Sequence, residues 1–216
     1  MSAEVLSLYD EALRAAEQRR GAELILRDAL GGERVIDAAA WYRDRLPGDR
    51  GLLDRCSGPT LDVGCGPGRL TVAVANRGYA SLGVDISGTA VSIARRRGAA
   101  VLRRSVFQPI PGTGRWRHIL LADGNIGIGG DPSALLRRCR NLMSPAGRVH
   151  VELSPPGLRS WAGRATVRGA GDSPAAPFRW AEVAADDLAT FSGPAALHPV
   201  DTWEEAGRWF ASLARM

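Results

Sequence analysis

The segment Thr60-Leu61-Asp62-Val63-Gly64-Cys65-Gly66-Pro67-Gly68-Arg69-Leu70 constrains the fold more than any other part of the chain. An apolar, β-branched run meets glycines at 64, 66 and 68, and a helix of small and apolar residues follows from about Leu70 to Asn76. Strand, glycine turn and helix in that order bring bare backbone N–H groups and a helix N-terminus up to a ligand. A dinucleotide-binding loop requires G-x-G-x-x-G, with its third glycine beside a pyrophosphate. Here that third position is Arg69, and the last glycine comes one residue early. The spacing disfavours NAD.

Ser81-Leu82-Gly83-Val84-Asp85 reads as a second strand ending in an acid. Asp85 lies about 20 residues past the loop, where a carboxylate accepts the two hydroxyls of a ribose. The alternation then continues. Strand 60–64 leads to helix 68–77, strand 81–85 to helix 88–97, strand 99–103 to a Pro/Gly loop, strand 117–122 to helix 132–143, and Pro145-Ala146-Gly147 to strand 148–153. Strands and helices alternating at this spacing predict a doubly wound, mostly parallel sheet with right-handed crossovers. A ligand in such a sheet sits at the carboxyl ends of the strands.

The flanks are less regular. Residues 3–30 read as two helices broken near Gly21, and Val35–Arg45 as a third short helix carrying Trp41 and Tyr42. Pro47-Gly48-Asp49 is a turn before a short helix at Leu52–Cys56. Beyond strand 148–153, Trp161–Val167 and Phe178–Val183 pair as a hairpin across the small-residue run Gly169–Pro177, and Asp186 caps a short helix to Phe191. Leu197–Trp203 and Arg208–Leu213 form a closing antiparallel hairpin. The expected organisation is a helical lid over 1–58 and one core domain over 59–216, without repeats.

The 216 residues carry a net charge of +5, which raises the question of a nucleic-acid partner. All 28 basic residues are arginine, the pattern of a GC-rich genome. The clusters Arg95–Arg97, Arg103-Arg104 and Arg137–Arg140 fall at element ends, with no aromatic residues interleaved as a stacking platform needs. Solvated faces account for them better than phosphate contacts. Cys56, Cys65 and Cys139 have neither metal-ligand spacing nor a disulfide framework, so no metal is expected. No apolar span or signal-like leader stands out, and a cytoplasmic protein is expected, as a monomer or homodimer, with a small-molecule substrate, no membrane partner and no nucleic acid.

The glycine pattern with Asp62 two residues ahead resembles motif I of the class I, Rossmann-like, seven-strand S-adenosylmethionine-dependent methyltransferases, over residues 60–153 and more loosely over 178–213. That family closes its sheet with an antiparallel C-terminal hairpin. The resemblance implies S-adenosylmethionine as cofactor and S-adenosylhomocysteine as product. It implies that Gly64, Gly66 and Gly68 pass over the methionine part, that Asp62 orients the loop and meets the ammonium, that Asp85 takes the ribose, and that Ile86 lies against adenine. Where the family usually carries an acid facing the adenine amine, this chain has Ser105-Val106-Phe107. Ser105 accepts without charge, Val106 offers its N–H and Phe107 packs on the ring.

The run from Ile119 through Asp123-Gly124-Asn125 to Asp131-Pro132 takes the place of motif IV and resembles one subgroup of small bacterial methyltransferases. It lacks the Asn/Asp-Pro-Pro-aromatic form of the amino-methylating nucleic-acid enzymes. Asp123, near the methyl, is the first candidate to bind or deprotonate substrate, and Asn125 to orient it. Tyr9, Trp41 and Tyr42 from the lid and Glu152 at the end of strand five are the substrate-binding candidates. His118 and His150 fall within strands and read as structural. The expected activity is methyl transfer to an O or N atom of a small molecule. The alternatives are an RNA or protein methyltransferase and a non-catalytic S-adenosylmethionine-binding module.

Overall fold

The computed structural model describes residues 2–170 and 174–216. Its centre is a seven-stranded sheet in the order β10-β11-β7-β6-β3-β4-β5. The strands are β3 (Thr60–Val63), β4 (Ser81–Asp85), β5 (Val101–Arg103), β6 (Trp116–Leu121), β7 (Met143–Leu153), β10 (Leu197–Glu205) and β11 (Arg208–Arg215). β3 pairs in parallel with β4 and β6, β4 with β5, and β6 with β7, whereas β11 is antiparallel to both β7 and β10. This is the expected doubly wound sheet closed by an antiparallel hairpin. β3 is buried along its whole length, as a strand covered on both faces must be.

Helices α3 (Arg69–Ala75), α4 (Gly88–Arg96) and α5 (Pro132–Leu142) make the crossovers. α5 opens with Asp131 accepting from the Ala134 N–H and Pro132 in the first turn, the arrangement that its sequence predicts. Gly68, at φ 84°, ends the loop in a left-handed turn, and a Cβ there would lie 3.0 Å from Ala94 Cβ and 3.1 Å from Ala99 Cβ. The third glycine of the loop therefore lets α3 start against α4.

The flanks differ from expectation. α1 (Ala3–Glu17) is a helix, capped by Ser2. The expected second helix is instead strand β1 (Glu23–Arg27), and the expected third is strand β2 (Glu33–Asp37) followed by a 3-10 turn over Ala38–Tyr42. α2 (Asp49–Asp54) falls where the short helix was expected. β8 (Trp161–Gly169) and β9 (Ala176–Glu182) form the expected hairpin, but β8 also pairs antiparallel with β1. The product is a second, four-stranded sheet, β2-β1-β8-β9, absent from the sequence reading. Gly171, Asp172 and Ser173 of the small-residue run lie outside the described residues. Asp186 does not cap α6 (Leu188–Ser192); its carboxylate accepts the Gly157 N–H at 2.7 Å.

Burial explains the two histidines. His118 Nδ1 and His150 Nε2 are 2.9 Å apart on adjacent strands, His118 Nε2 accepts the Ser57 N–H at 3.1 Å, and His150 Nδ1 lies 2.8 Å from Ser212 Oγ. The backbone donor at Ser57 fixes the proton of neutral His118 on Nδ1, which donates to His150. Cys56 sits close enough to complete a three-ligand group with them. In that tautomer the Ser57 N–H occupies His118 Nε2 and the His118 Nδ1–H occupies His150 Nε2, so the two rings form a satisfied hydrogen-bond chain.

Candidate functional site

β3, β4 and β6 end at one cavity of about 780 Å³, within the roughly 300–1,000 Å³ usual for small-molecule sites. Its floor comes from the seven-stranded sheet and its cap from α1, the 3-10 turn and the four-stranded sheet.

Asp62, Gly64, Gly66 and Asp85 all line the floor. Asp62 accepts the Thr71 hydroxyl at 2.7 Å, and burial pushes its carboxyl up to about 6 against that hydrogen bond. Asp85, 8% exposed, accepts the Gly66 N–H at 3.0 Å on one oxygen and the Ser87 N–H at 2.8 Å on the other. Burial raises its carboxyl, with the backbone donors pulling the other way. Ile86, Ser105, Val106 and Phe107 follow along the same wall. Val106 is buried and Phe107 is 48% exposed, so an apolar slot opens beside Asp85. Ser105 Oγ accepts the Phe107 N–H at 3.3 Å. Gly68 does not line the cavity; its place is the α3–α4 contact.

Asp123 lies at the end of β6 with φ 54°, a left-handed conformation that costs a non-glycine residue about 1–3 kcal/mol. Its carboxylate meets Arg69 at 2.5 Å and Arg208 at 3.1 Å, and its N–H donates to Glu152 Oε2 at 2.5 Å. Arg69 also pairs with Asp49, and Arg208 reaches both Asp49 and Glu152. Two guanidiniums and three carboxylates thus form one network beneath the cavity. Burial works against the Arg69 charge, but Asp123 and Asp49 more than offset it and raise its proton affinity. Burial raises Asp123 as well, opposed by Arg69. Asn125 borders the cavity, but its Nδ2 donates to Val63 O at 3.0 Å and Gly64 O at 2.9 Å. It ties the loop after β6 to the glycine loop.

Tyr9 and Trp41 line the cap, packed edge to face with ring centroids 5.4 Å apart. A Cβ on Gly66 would come within 3.3 Å of the Tyr9 hydroxyl, so α1 closes directly over the glycine loop. Tyr42 lies outside the lining, packed with Leu13, Ala90 and Ile93. Glu152 lies outside it too, as the partner of Arg208 and Asp123.

The sequence reading missed Arg69 and Asp49 as a buried pair, and Leu24, Leu26, Ile36, Phe178 and Trp180 as cavity walls. A hairpin signal was available for β1 and β2. Gly31-Gly32 separates two alternating runs, Glu23–Arg27 and Glu33–Asp37.

No helix among the described residues is long and apolar enough to cross a membrane. No curated protein matches the sequence. A solved S-adenosylmethionine-dependent methyltransferase from Bacteroides fragilis, in complex with S-adenosyl-L-homocysteine, superposes with a TM-score of 0.80 at 20% identity, covering 100% of this chain and 98% of that one. The glycopeptide N-methyltransferase MtfA, complexed with S-adenosylmethionine, gives 0.60 at 14% identity over 77% of this chain and 85% of its own. An O-methyltransferase from neocarzinostatin biosynthesis, bound to S-adenosylhomocysteine and 1,4-dihydroxy-2-naphthoic acid, gives 0.56 at 19% identity over 78% and 53%. The family of methyltransferase domains matches residues 60–147. The match spans the glycine loop, Asp85 and the strands through Gly147, and the solved structures share the class I, Rossmann-like methyltransferase fold with this chain.

Proposed function

We propose that this methyltransferase uses S-adenosylmethionine to methylate an oxygen or nitrogen of a small molecule. One observation carries the reading: Asp85, the glycine loop and an apolar cap enclose a single cavity. The residues fit a nucleoside. The buried Asp85 carboxylate is an acceptor for ribose hydroxyls, and Ile86, Val106 and Phe107 offer an apolar slot for adenine. Asp62 and the backbone of Gly64 and Gly66 lie where the amino-acid part of the cofactor would be held. When bound, S-adenosylmethionine supplies a methyl group on a sulfonium, a good leaving group.

The protein's share is then alignment and the exclusion of water. α1 and the four-stranded sheet roof the cavity, and Tyr9 closes on the glycine loop. Asp123, engaged by two arginines, holds Arg69 and the loop after β6 in place. Asn125 does the same from the other side. Similar folds carry both acceptor types, since MtfA methylates a glycopeptide nitrogen and the neocarzinostatin enzyme is an O-methyltransferase. The cap roofs a cavity whose volume of about 780 Å³ suits a small molecule.

The test is sustained release of S-adenosylhomocysteine from S-adenosylmethionine in the presence of a small-metabolite pool. Turnover with the pool supports the reading. Turnover only with RNA or protein added, or none with any acceptor while the cofactor binds, contradicts it.

A further inference from the structure

The cap sheet presents one face to the cavity, and its strand registers identify that face. Leu24 pairs with Ile36, Leu26 with both Arg34 and Val167, Ala165 with Phe178, and Gly163 with Trp180. Because side chains alternate along a strand, these residues share one side. Among the described residues its charged groups are Arg34 and Glu182, which pair at 2.5 Å from opposite edges of the sheet. Trp161 Nε1 adds a 3.2 Å hydrogen bond to Glu182. Arg179 borders the cavity but alternates to the other side of β9, and Arg104 borders it near Ser105 with Nη1 on the Pro109 carbonyl at 2.7 Å.

The cap half of the cavity is therefore aliphatic and aromatic, with its single ion pair closed on itself. The Trp180 Nε1–H is buried there without a partner, so a sugar, nucleotide or peptide would lose water at several groups for one indole donor, at about 1–3 kcal/mol for each group left unpaired. Trp41, Phe178 and Trp180 offer ring faces and edges to a flat apolar body.

Among the described residues, the same half holds no group able to take a proton. The carboxylates lining the cavity are Asp62, Asp85 and Asp123, all at strand ends on the floor, and each is already hydrogen-bonded. Besides Arg34, Arg69, Arg104 and Arg179, the other titratable neighbours are Tyr9 and Cys65. Burial raises both, so they stay protonated at neutral pH.

Building on the proposed methyltransferase reading, we infer that the acceptor is a flat, uncharged phenol of fused or linked rings, methylated on oxygen without a protein general base. The phenol loses its proton to bulk water before it enters the cavity. The phenolate oxygen then forms the O–CH3 bond while the C–S bond of the sulfonium donor breaks and its electron pair stays on sulfur. An aliphatic alcohol, which does not ionise in this range, is not an acceptor.

The experiment uses the full chain with S-adenosylhomocysteine for binding and S-adenosylmethionine for turnover. The probes are 2-naphthol, a more acidic nitro-substituted 2-naphthol and 2-naphthalenemethanol. Tryptophan fluorescence of the S-adenosylhomocysteine complex should report 2-naphthol binding. Ile36→Glu should weaken it at least tenfold and Phe178→Ala severalfold, with unchanged affinity for S-adenosylhomocysteine. The midpoint of the rate against pH should move down with the more acidic naphthol, and 2-naphthalenemethanol should give no product. If S-adenosylhomocysteine binds but 2-naphthol does not, the inference falls and the methyltransferase reading stands. A midpoint that is the same for both naphthols, or a flat profile with an aryl amine as the better acceptor, also overturns it. Failure to bind S-adenosylhomocysteine overturns both.

Discussion

Arg69 and Asp123 meet at 2.5 Å, joining the residue after the glycine loop to the residue that ends β6. The same guanidinium pairs with Asp49 of α2, and both Arg69 and Asp49 are at most 4% exposed. The arginine that disfavours a dinucleotide loop by its position is thus a structural clamp between three parts of the cavity floor.

Arg69→Met should therefore destabilise strongly. It leaves Asp49 buried with Arg208 as its remaining ionic partner, and removing one member of a buried pair costs about 3–5 kcal/mol. Urea denaturation should show that loss, while exposed Arg50→Met should fall within about 0.5 kcal/mol of wild type. Equal stability of Arg69→Met and wild type would show that the clamp carries no load.

Gly127→Ala should loosen the cap without touching the glycine loop. A Cβ at Gly127 would strike the Ala181 carbonyl oxygen and come within 2.7 Å of the Trp180 ring. Overpacking of this kind costs about 1–3 kcal/mol. The expected outcome is faster proteolysis within 161–182 and weaker acceptor binding, with S-adenosylhomocysteine affinity kept within about threefold. Unchanged proteolysis would mean that the loop after β6 does not brace β9.

The histidine pair should make stability fall in acid. Burial lowers His118 to about 4 and His150 to about 3, so the folded protein keeps both neutral while the unfolded chain protonates them near the usual 6.5. The unfolded state then binds more protons between about 6.5 and 4, and stability drops as pH falls through that window. Asp62, raised to about 6 by burial, acts with the opposite sign between about 6 and 4. The comparison with His150→Leu isolates the histidine term. Unfolding free energy from pH 7 to 4 should fall more steeply for wild type than for the variant, and parallel curves would refute the assignment.

The parallel half of the fold was legible because its signals are local. Alternation from Thr60 to Leu153, the glycines, Asp85 and the Asp131-Pro132 cap each depend on neighbours in sequence. Of the cap, only the β1–β2 hairpin had a local signal, at Gly31-Gly32; the sheet itself was not legible because β1 is completed by β8, about 140 residues downstream. Without that partner, Leu24-Ile25-Leu26 is a short apolar run that fits a helix as well as a strand. Asp123 shows the same limit at the site. Its position at the end of β6 was readable, but Arg69, Arg208 and Glu152, which occupy its carboxylate and N–H, come from three distant segments. Glu152 and Tyr42 fell near the cavity in sequence order and outside its lining in space.

The most direct measurement is calorimetric titration of S-adenosylhomocysteine into wild type, Asp85→Ala and Gly66→Val. Asp85 binds the loop through the Gly66 N–H at 3.0 Å, and a hydrogen bond to a charged group contributes about 1.5–3 kcal/mol. Losing both the proposed ribose acceptor and the loop contact should weaken binding by about a hundredfold, and Gly66→Val should weaken it similarly by driving a side chain toward Tyr9. Binding at wild-type affinity in both variants, or no binding by wild type, would contradict the account.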